Sequence, residues 1–211
     1  MRKFRPAQRG RRRSASLTAM AGTQQPAPVG ADAIVGRGDA LLAVDVQVDF
    51  LPGGALGVAR GDEVVPVLNA WVRAFVAAGR PVYVSRDWHP ADHCSFAARG
   101  GPWPPHCVAG TRGAEFSPAF ALPPEYVVVS KATDRNRDAY SAFDGTALAE
   151  RLRVAGVRRL FIGGLATDYC VRATVLDARA AGLEVVVLAD AIRGVDVTPG
   201  DSERAIEAMR A

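Results

Sequence analysis

All three histidines of this 211-residue chain fall within one short stretch, and an aspartate directly precedes them. Asp87, His89, His93 and His106 form the pattern D-x-H-x3-H-x12-H. Carboxylate oxygens and imidazole nitrogens suit zinc, iron or manganese. The alternative is chance clustering in a proline-rich loop, because motif matches of this kind include false positives. We interpret the four residues as a candidate metal site.

The second chemical feature is Cys170, one of three cysteines in the chain. It follows an apolar run and a Gly-Gly turn and opens a helical pattern, a context similar to a nucleophile elbow. A thiol in the first turn of a helix is favoured as thiolate. The alternative is a small buried core residue. A structural zinc site that uses Cys94 or Cys107 is a rival interpretation, but the chain has no Cys-x2-Cys pair to support it.

Two charged residues follow apolar runs and could work with this thiol. Asp45 ends "ALLAVD" and is either a base or an acceptor of backbone N–H groups. Lys131 follows "YVVVS", where its burial would be unfavourable without a partner. The simplest partner is Asp45. A base, a cation and a thiol are the parts of a cysteine hydrolase that uses no histidine base.

Strand and helix patterns alternate along the chain. Apolar runs predict strands at 40–46, 81–87, 126–131, 159–164 and 184–190. Helical spacing predicts helices within 61–80, at 144–155, at 167–181 and from about Asp201. In the first of these, Asp62 would cap the start and Gly79 would end the helix. Such alternation favours an α/β fold of three layers (α/β/α) with a mostly parallel sheet of five to six strands.

The fold class predicts where the chemical residues meet. Ligands of open α/β sheets bind outside the carboxyl ends of the strands. Asp45, Asp87, Lys131, the "GGLATDYC" turn and Asp190 all lie at such ends. The proline-rich segment 88–125 is too long for a plain connection and is therefore interpreted as a functional loop.

Charge divides the chain into two parts. Residues 1–37 contain eight basic residues and one acid, whereas the remainder has 18 basic and 21 acidic residues. We expect 1–37 to be a disordered leader or a misassigned start, with Met20 as the true start, and 38–211 to be one domain. A basic arm and a targeting peptide are alternatives. The slightly acidic domain does not favour nucleic-acid binding, and no apolar run is long enough for a membrane span.

Four segments together resemble the isochorismatase-like cysteine hydrolases, in the nicotinamidase/pyrazinamidase branch. They are "AVDVQVDFLPGGALGV", "SRDWHPADHCSFA", "WPPHCVAGTRGAEF" and "GGLATDYCVRATVLDA", which occur in the family's order. The resemblance covers about residues 39–209. The chain departs from the family in its leader and in its end at Ala211, where relatives usually continue into a further strand, so we expect the sheet to be one strand short.

The resemblance implies a role for each matching residue. For catalysis, the roles are general base for Asp45, cation for Lys131 and nucleophile for Cys170, with the N–H groups of Ala166 and Cys170 as the oxyanion hole and Leu165–Ala166 as a cis peptide. The implied metal ligands are Asp87, His89 and His106, with His93 a possible fourth. The implied walls of the substrate pocket are Phe50, Trp103 and Tyr140.

The implied reaction converts nicotinamide to nicotinate and ammonia through a thioester, with pyrazinamide as a further substrate, in NAD salvage. The implied cofactor is a divalent metal, zinc before iron or manganese. Few cysteines and no signal sequence favour a cytoplasmic protein, and a homo-oligomer is possible. The alternatives are a related hydrolase of isochorismate, N-carbamoyl or ureido compounds, a non-catalytic binding protein, and a nucleic-acid binder that uses the basic leader.

Overall fold

A computed structural model describes residues 34–210, so the predictions for most of the leader lie outside the described residues. Five parallel strands form one sheet in the order β3-β2-β1-β4-β5. The strands are β1 (Asp39–Val44), β2 (Val82–Asp87), β3 (Val127–Lys131), β4 (Arg159–Leu165) and β5 (Glu184–Arg193). The predicted α/β fold is therefore confirmed, with five strands among the described residues.

The helices also follow the predicted order. They are α1 (Val64–Ala77), α2 (Leu148–Val154), α3 (Arg172–Ala180), which a π-helical turn (Thr167–Val171) precedes, and α4 (Asp201–Arg210). Gly79, with φ 64°, ends α1 as expected. The cap prediction for Asp62 is wrong, since a 3-10 turn (Gly61–Glu63) leads into α1 and no side chain caps it.

The core lies on both faces of the sheet. Leu41 of β1 belongs to the cluster that α1 covers, together with Phe75 and Phe161. The next residue, Leu42, belongs to the opposite cluster, which includes Leu152 and helps to bury the second face. Successive side chains of a strand point to opposite faces. Burial on both faces explains why β1 reads as a continuous apolar run.

The strand order changes direction at β1, which lies between β2 and β4. Ligand sites of open α/β sheets occur at this switch point. The register places Val44 beside Gly164 and Asp87 beside Lys131, so four strand ends lie close together. The predicted long loop follows β2, and the parallel bridge His89↔Val108 joins two parts of it near the strand ends.

Among residues 34–210, no helix combines the length and the apolar composition that a membrane crossing requires.

Candidate active site

The ammonium group of Lys131 joins residues that lie at, or shortly after, the carboxyl ends of three other strands. Its Nζ lies 2.9 Å from Oδ2 of Asp45 and 3.4 Å from Sγ of Cys170, and it also contacts Oδ1 of Asp87. All four side chains are buried. Lys131 belongs to β3, which is separated from β1 by β2, so its long side chain reaches across one strand to Asp45. The predicted pairing with Asp45 is present, and the contact with Asp87 was not anticipated.

A left-handed backbone conformation turns Asp45 into the site. Its φ is 50°, a region that Asp tolerates better than most residues. The N–H of Asp45 donates to the carbonyl of Ser85 at 3.2 Å, and the Ser85 hydroxyl donates to Oδ1 of Asp45 at 2.7 Å. Oδ1 is therefore held by Ser85, while Oδ2 faces Lys131.

The charges of this cluster compensate one another. Burial raises the pKa of Asp45, although Lys131 opposes part of the increase. Burial also opposes ionisation of Asp87, but Lys131 and His89 outweigh it and hold the pKa of this carboxyl below its ordinary value. Burial disfavours the ammonium form of Lys131, yet the two carboxylates raise its pKa well above the usual range. The site therefore holds a firmly protonated lysine.

The environment of Cys170 opposes ionisation of its thiol. Burial raises the pKa of this thiol well above the ordinary value, with Lys131 opposing and the two carboxylates adding to the increase. This effect acts against the thiolate that the start of a helix favours. Sγ of Cys170 lies within 4.8 Å of a carboxylate oxygen of Asp45. The geometry therefore places a candidate base next to the thiol.

Three of the four predicted metal ligands lie together. Ligand atoms of Asp87, His89 and His106 lie within 4.8 Å of one another, and all three residues are buried. Neither ring nitrogen of His89 has a hydrogen-bond partner, an unusual state for a buried imidazole. Nδ1 of His106 lies 2.8 Å from the carbonyl oxygen of Pro104, which fixes Nδ1 as the donor and leaves Nε2 as a free acceptor. These donor atoms fit a divalent metal ion.

His93 lies outside this group. Its Nδ1 lies 2.7 Å from the Ser95 hydroxyl, and its Nε2 lies 3.0 Å from the carbonyl oxygen of Arg137. Its ring packs on that of His89, with 4.3 Å between centroids. Because both nitrogens have protein partners, these contacts do not support the expected fourth ligand. They fix the ring that lies against His89.

Gln47, which the sequence interpretation missed, locks the backbone of Asp87. Its Nε2 donates to the carbonyl oxygens of Asp87 at 2.8 Å and Ala114 at 3.0 Å, and its Oε1 accepts the N–H of Asp87 at 2.8 Å. The side chain is fully buried. The only sequence signal was a polar residue inside the apolar stretch that follows β1.

We expect Gln47→Leu to weaken zinc binding at least about tenfold, because residues that orient metal ligands contribute this much to affinity. The matched control is Asn69→Leu, since the Asn69 amide likewise binds backbone groups, of Ala119 and Ala121, and none of these three residues is a candidate ligand. Zinc affinity measured by competition with a chelator should fall only in the Gln47 variant. Equal affinities in the two variants would contradict this role.

Aromatic side chains wall a narrow pocket, of about 30 Å³, beside Cys170. The three predicted wall residues line it: Phe50, Trp103 and Tyr140. The Trp103 indole N–H donates to the Tyr140 hydroxyl at 3.0 Å. Sequence reasoning missed the other lining residues, which are Leu56, Ser95, Asp138, Ala139, Tyr169 and Val195. Tyr169 adjoins the candidate nucleophile in sequence and was within reach of prediction, whereas nothing in the pattern marked Val195.

The two residues of the expected oxyanion hole also face this pocket. Ala166 and Cys170 both line it. The Leu165–Ala166 peptide bond is cis, as the resemblance implies. The carbonyl of Ala166 accepts the N–H groups of Tyr169 and Val171 at the start of the π-helical turn. The peptide that precedes the turn is therefore tied to the same short element as Cys170.

Comparison with known proteins identifies the family. Residues 39–211 match the Isochorismatase domain. The nicotinamidase of Escherichia coli is 40% identical over 82% of this chain and 91% of its own length, and that of Acinetobacter baylyi is 38% identical over 82% and 88%. The structure of the pyrazinamidase of Pyrococcus horikoshii in complex with zinc has a TM-score of 0.79 at 51% identity, covering 82% of this chain and 94% of its own.

The chain therefore belongs to the isochorismatase family, in its nicotinamidase/pyrazinamidase branch, whose members are hydrolases that act on amide bonds. This membership confirms the resemblance of the four sequence segments. A further solved relative, PnC1 from Leishmania infantum in complex with nicotinate, has a TM-score of 0.72 at 38% identity over 81% of this chain and 89% of its own.

Proposed function

We propose that this protein hydrolyses the carboxamide of nicotinamide, and also that of pyrazinamide, to the carboxylate and ammonia. The observation that carries the proposal is the buried cluster of Asp45, Lys131 and Cys170 at an aromatic pocket that also borders a candidate metal site. The names of its relatives, nicotinamidases and a pyrazinamidase, support the choice of substrate.

The first half of the proposed reaction forms a thioester. Asp45 takes the thiol proton as Sγ of Cys170 bonds to the carboxamide carbon, and the C=O electron pair moves to oxygen. Burial raises the pKa of Asp45, which makes its carboxylate a stronger base than an exposed one. N–H groups of Ala166 and Cys170 stabilise the oxyanion. As the C=O bond reforms, the C–N bond breaks, and the nitrogen takes the proton from Asp45 and leaves as ammonia.

The second half releases the acid. Asp45, now a carboxylate again, takes a proton from a water molecule that adds to the thioester carbon. The tetrahedral intermediate collapses with cleavage of the C–S bond, and the sulfur recovers the proton from Asp45. Lys131 stays protonated throughout, because two buried carboxylates flank it. Its proposed role is to keep Asp45 placed and ready to exchange protons with sulfur.

The donor set and the zinc-bound relative support a divalent metal, which we propose to be zinc held by Asp87, His89 and His106. Iron and manganese fit the same ligand types. When bound, such an ion supplies a Lewis acid that orients a pyridine nitrogen. Phe50 lies next to this site, with its ring centroid 5.6 Å from that of His106, and so provides an apolar wall where the ring would bind.

We also infer the setting of this reaction. The three cysteines are free, which suits a reducing cytoplasm. The proposed role in NAD salvage follows from the proposed substrate, nicotinamide. Residues 38–211 are proposed to form a single domain. The acidic balance of that part of the chain gives no reason to expect a nucleic-acid partner, and a homo-oligomer is compatible with the same reaction.

We expect zinc-loaded protein to release ammonia from nicotinamide and pyrazinamide, and benzamide, which lacks the ring nitrogen, to be at least about a hundredfold poorer in kcat/KM. Chelation should remove the activity, and added zinc should restore it. Coupled detection of ammonia measures all three. Absence of turnover of both pyridine-type amides in zinc-replete protein would refute the proposed function in favour of a related hydrolase with another substrate.

A further inference from the structure

One wall of the pocket belongs to a loop rather than to a strand or helix. Val195 lines the pocket together with Cys170, and it lies in the connection between β5 and α4. A pocket of about 30 Å³ leaves little free space, so the position of each wall decides which substituents fit. The position of Val195 therefore depends on what holds this loop.

The holding group is the carboxylate of Asp168. Its Oδ1 accepts the N–H of Val195 at 2.9 Å, and its Oδ2 accepts the N–H of Asp196 at 2.8 Å. Hydrogen bonds to an ionised carboxylate are stronger than those between neutral groups. Asp168 and Cys170 belong to the same π-helical turn (Thr167–Val171). One short element thus carries both the candidate nucleophile and the anchor of the facing wall.

The other side of the loop is fastened to α4. Asp196 adopts a left-handed conformation, with φ 51°, and its carboxylate accepts the N–H and the hydroxyl of Ser202 at 2.8 and 2.7 Å. Gly194 has no room for a side chain, because a Cβ there would lie 1.8 Å from the Ser202 hydroxyl oxygen and 3.1 Å from Oδ1 of Asp168. The backbone on both sides of Val195 is therefore tightly constrained.

We propose that Asp168 is a positioning residue that fixes Val195 and so excludes ring-substituted nicotinamides from the pocket. The inference rests on the proposed function for the identity of the substrate, but the placement of the wall does not. Asp168 does not itself line the pocket beside Cys170. It acts through the two backbone N–H groups that it binds.

The decisive variant is Asp168→Asn, which keeps the shape of the side chain but turns one acceptor into a donor that faces an N–H group. The probes are nicotinamides with one methyl group, either on ring carbon 6, next to the nitrogen, or on ring carbon 5. In both probes the methyl group lies away from the carboxamide on ring carbon 3. We expect their kcat/KM, divided by that for nicotinamide itself, to rise at least about tenfold, the scale of a single methyl group in an apolar pocket.

The kinetic constants for nicotinamide itself should also change in a defined way, with a higher KM and a nearly constant kcat. The ratio of the two kcat/KM values, which we call the methyl ratio, does not depend on the fraction of active enzyme. A loss of folded protein alone would therefore leave the methyl ratio unchanged.

Two further variants complete the test. Asp177→Asn changes an exposed carboxylate on α3, the helix that continues from the same turn, and should leave the methyl ratio at the wild-type value. Val195→Ala shortens the wall directly and should raise the methyl ratio even if the Asp168 variant does not fold. A methyl ratio within twofold of wild type in folded Asp168→Asn would overturn the role of Asp168, and the same result in Val195→Ala would overturn the role of Val195 as the excluding wall.

A second readout separates this proposal from the proposed function. The rates at which N-methylmaleimide and the bulkier N-phenylmaleimide label Cys170, followed by peptide mass spectrometry, report access past Val195 without any substrate. We expect Asp168→Asn and Val195→Ala to raise the relative rate of the bulky reagent. If wild-type protein does not turn over nicotinamide, the proposed function fails, whereas unchanged labelling ratios in both variants refute the wall assignment.

Discussion

Cys170→Ala should abolish the release of ammonia from nicotinamide, with a loss of kcat of more than about 10⁴-fold, because the variant has no atom that can form the acyl-enzyme bond. Zinc content should be unchanged, since the three candidate ligands are Asp87, His89 and His106. Ammonia assays and metal analysis of the same preparation check both parts. Activity that survives in this variant would contradict the assignment of the nucleophile.

The matched control for this experiment is Cys94→Ala. Cys94 is a free, half-exposed cysteine that does not line the pocket, so its removal should leave kcat within about twofold of wild type. Rapid acid quenching of the wild-type enzyme during turnover should also trap a nicotinoyl group on the peptide that contains Cys170. A nicotinoyl group found on another residue would transfer the role to that residue.

Lys131→Met should cause the largest loss of stability that a single substitution in the site can produce. The methionine has a similar length but leaves the buried carboxylates of Asp45 and Asp87 without their cation. Removing one partner of a buried ion pair costs about 3–5 kcal/mol in the free energy of unfolding. Urea unfolding of chelated wild-type and variant protein measures the difference. Activity should fall as well, because Asp45 loses the group that places it.

The pH dependence of the Lys131 variant has a definite sign. Without the ammonium, burial and mutual repulsion raise the pKa of both carboxyl groups in the folded state above their unfolded values. The folded state then binds more protons than the unfolded state, so the free energy of unfolding increases as pH falls from 8 to 5. Asp45→Asn in the same background should recover part of the loss by removing one buried charge.

A control substitution makes the size of this effect interpretable. Arg153→Met removes the cation of an exposed pair with Glu150 on α2, where both side chains are more than half exposed. Exposed pairs of this kind contribute well under about 1 kcal/mol. If the Lys131 variant is no less stable than the Arg153 variant, Lys131 does not compensate buried charge, and its protonation in the folded state has to be reconsidered.

Local sequence patterns were enough to predict much of the sheet and the convergence of the candidate site residues. Apolar runs with polar residues at their ends placed Asp45 and Lys131 next to each other, because parallel strands share one carboxyl edge. The five strands and four helices lie where their periodicity predicts, within a few residues. Asp62 shows the limit of such rules, since a suitable residue type before a helix did not become a cap.

The remaining features depend on contacts between distant parts of the chain. The spacing of His93 is compatible with ligation, but its nitrogens bind Ser95 and the backbone of Arg137, 44 positions away. Burial beside two carboxylates raises the pKa of Cys170, and no helix pattern reveals that environment. Val195 lines the pocket, and its N–H donates to the carboxylate of Asp168, 27 positions away in the chain. Sequence periodicity reports which face of an element is buried and does not report what it meets there.

The hydrogen bond between the Trp103 indole and the Tyr140 hydroxyl joins two walls of the pocket that lie 37 positions apart in the chain. Tyr169 packs against both rings, with centroid distances of 5.1 and 5.6 Å. The indole N–H is the only hydrogen-bond donor of a tryptophan side chain, and here it is already used within the wall. Trp103 therefore offers a bound ring aromatic contact rather than a hydrogen bond, so this side of the pocket selects for a flat shape and not for a polar substituent.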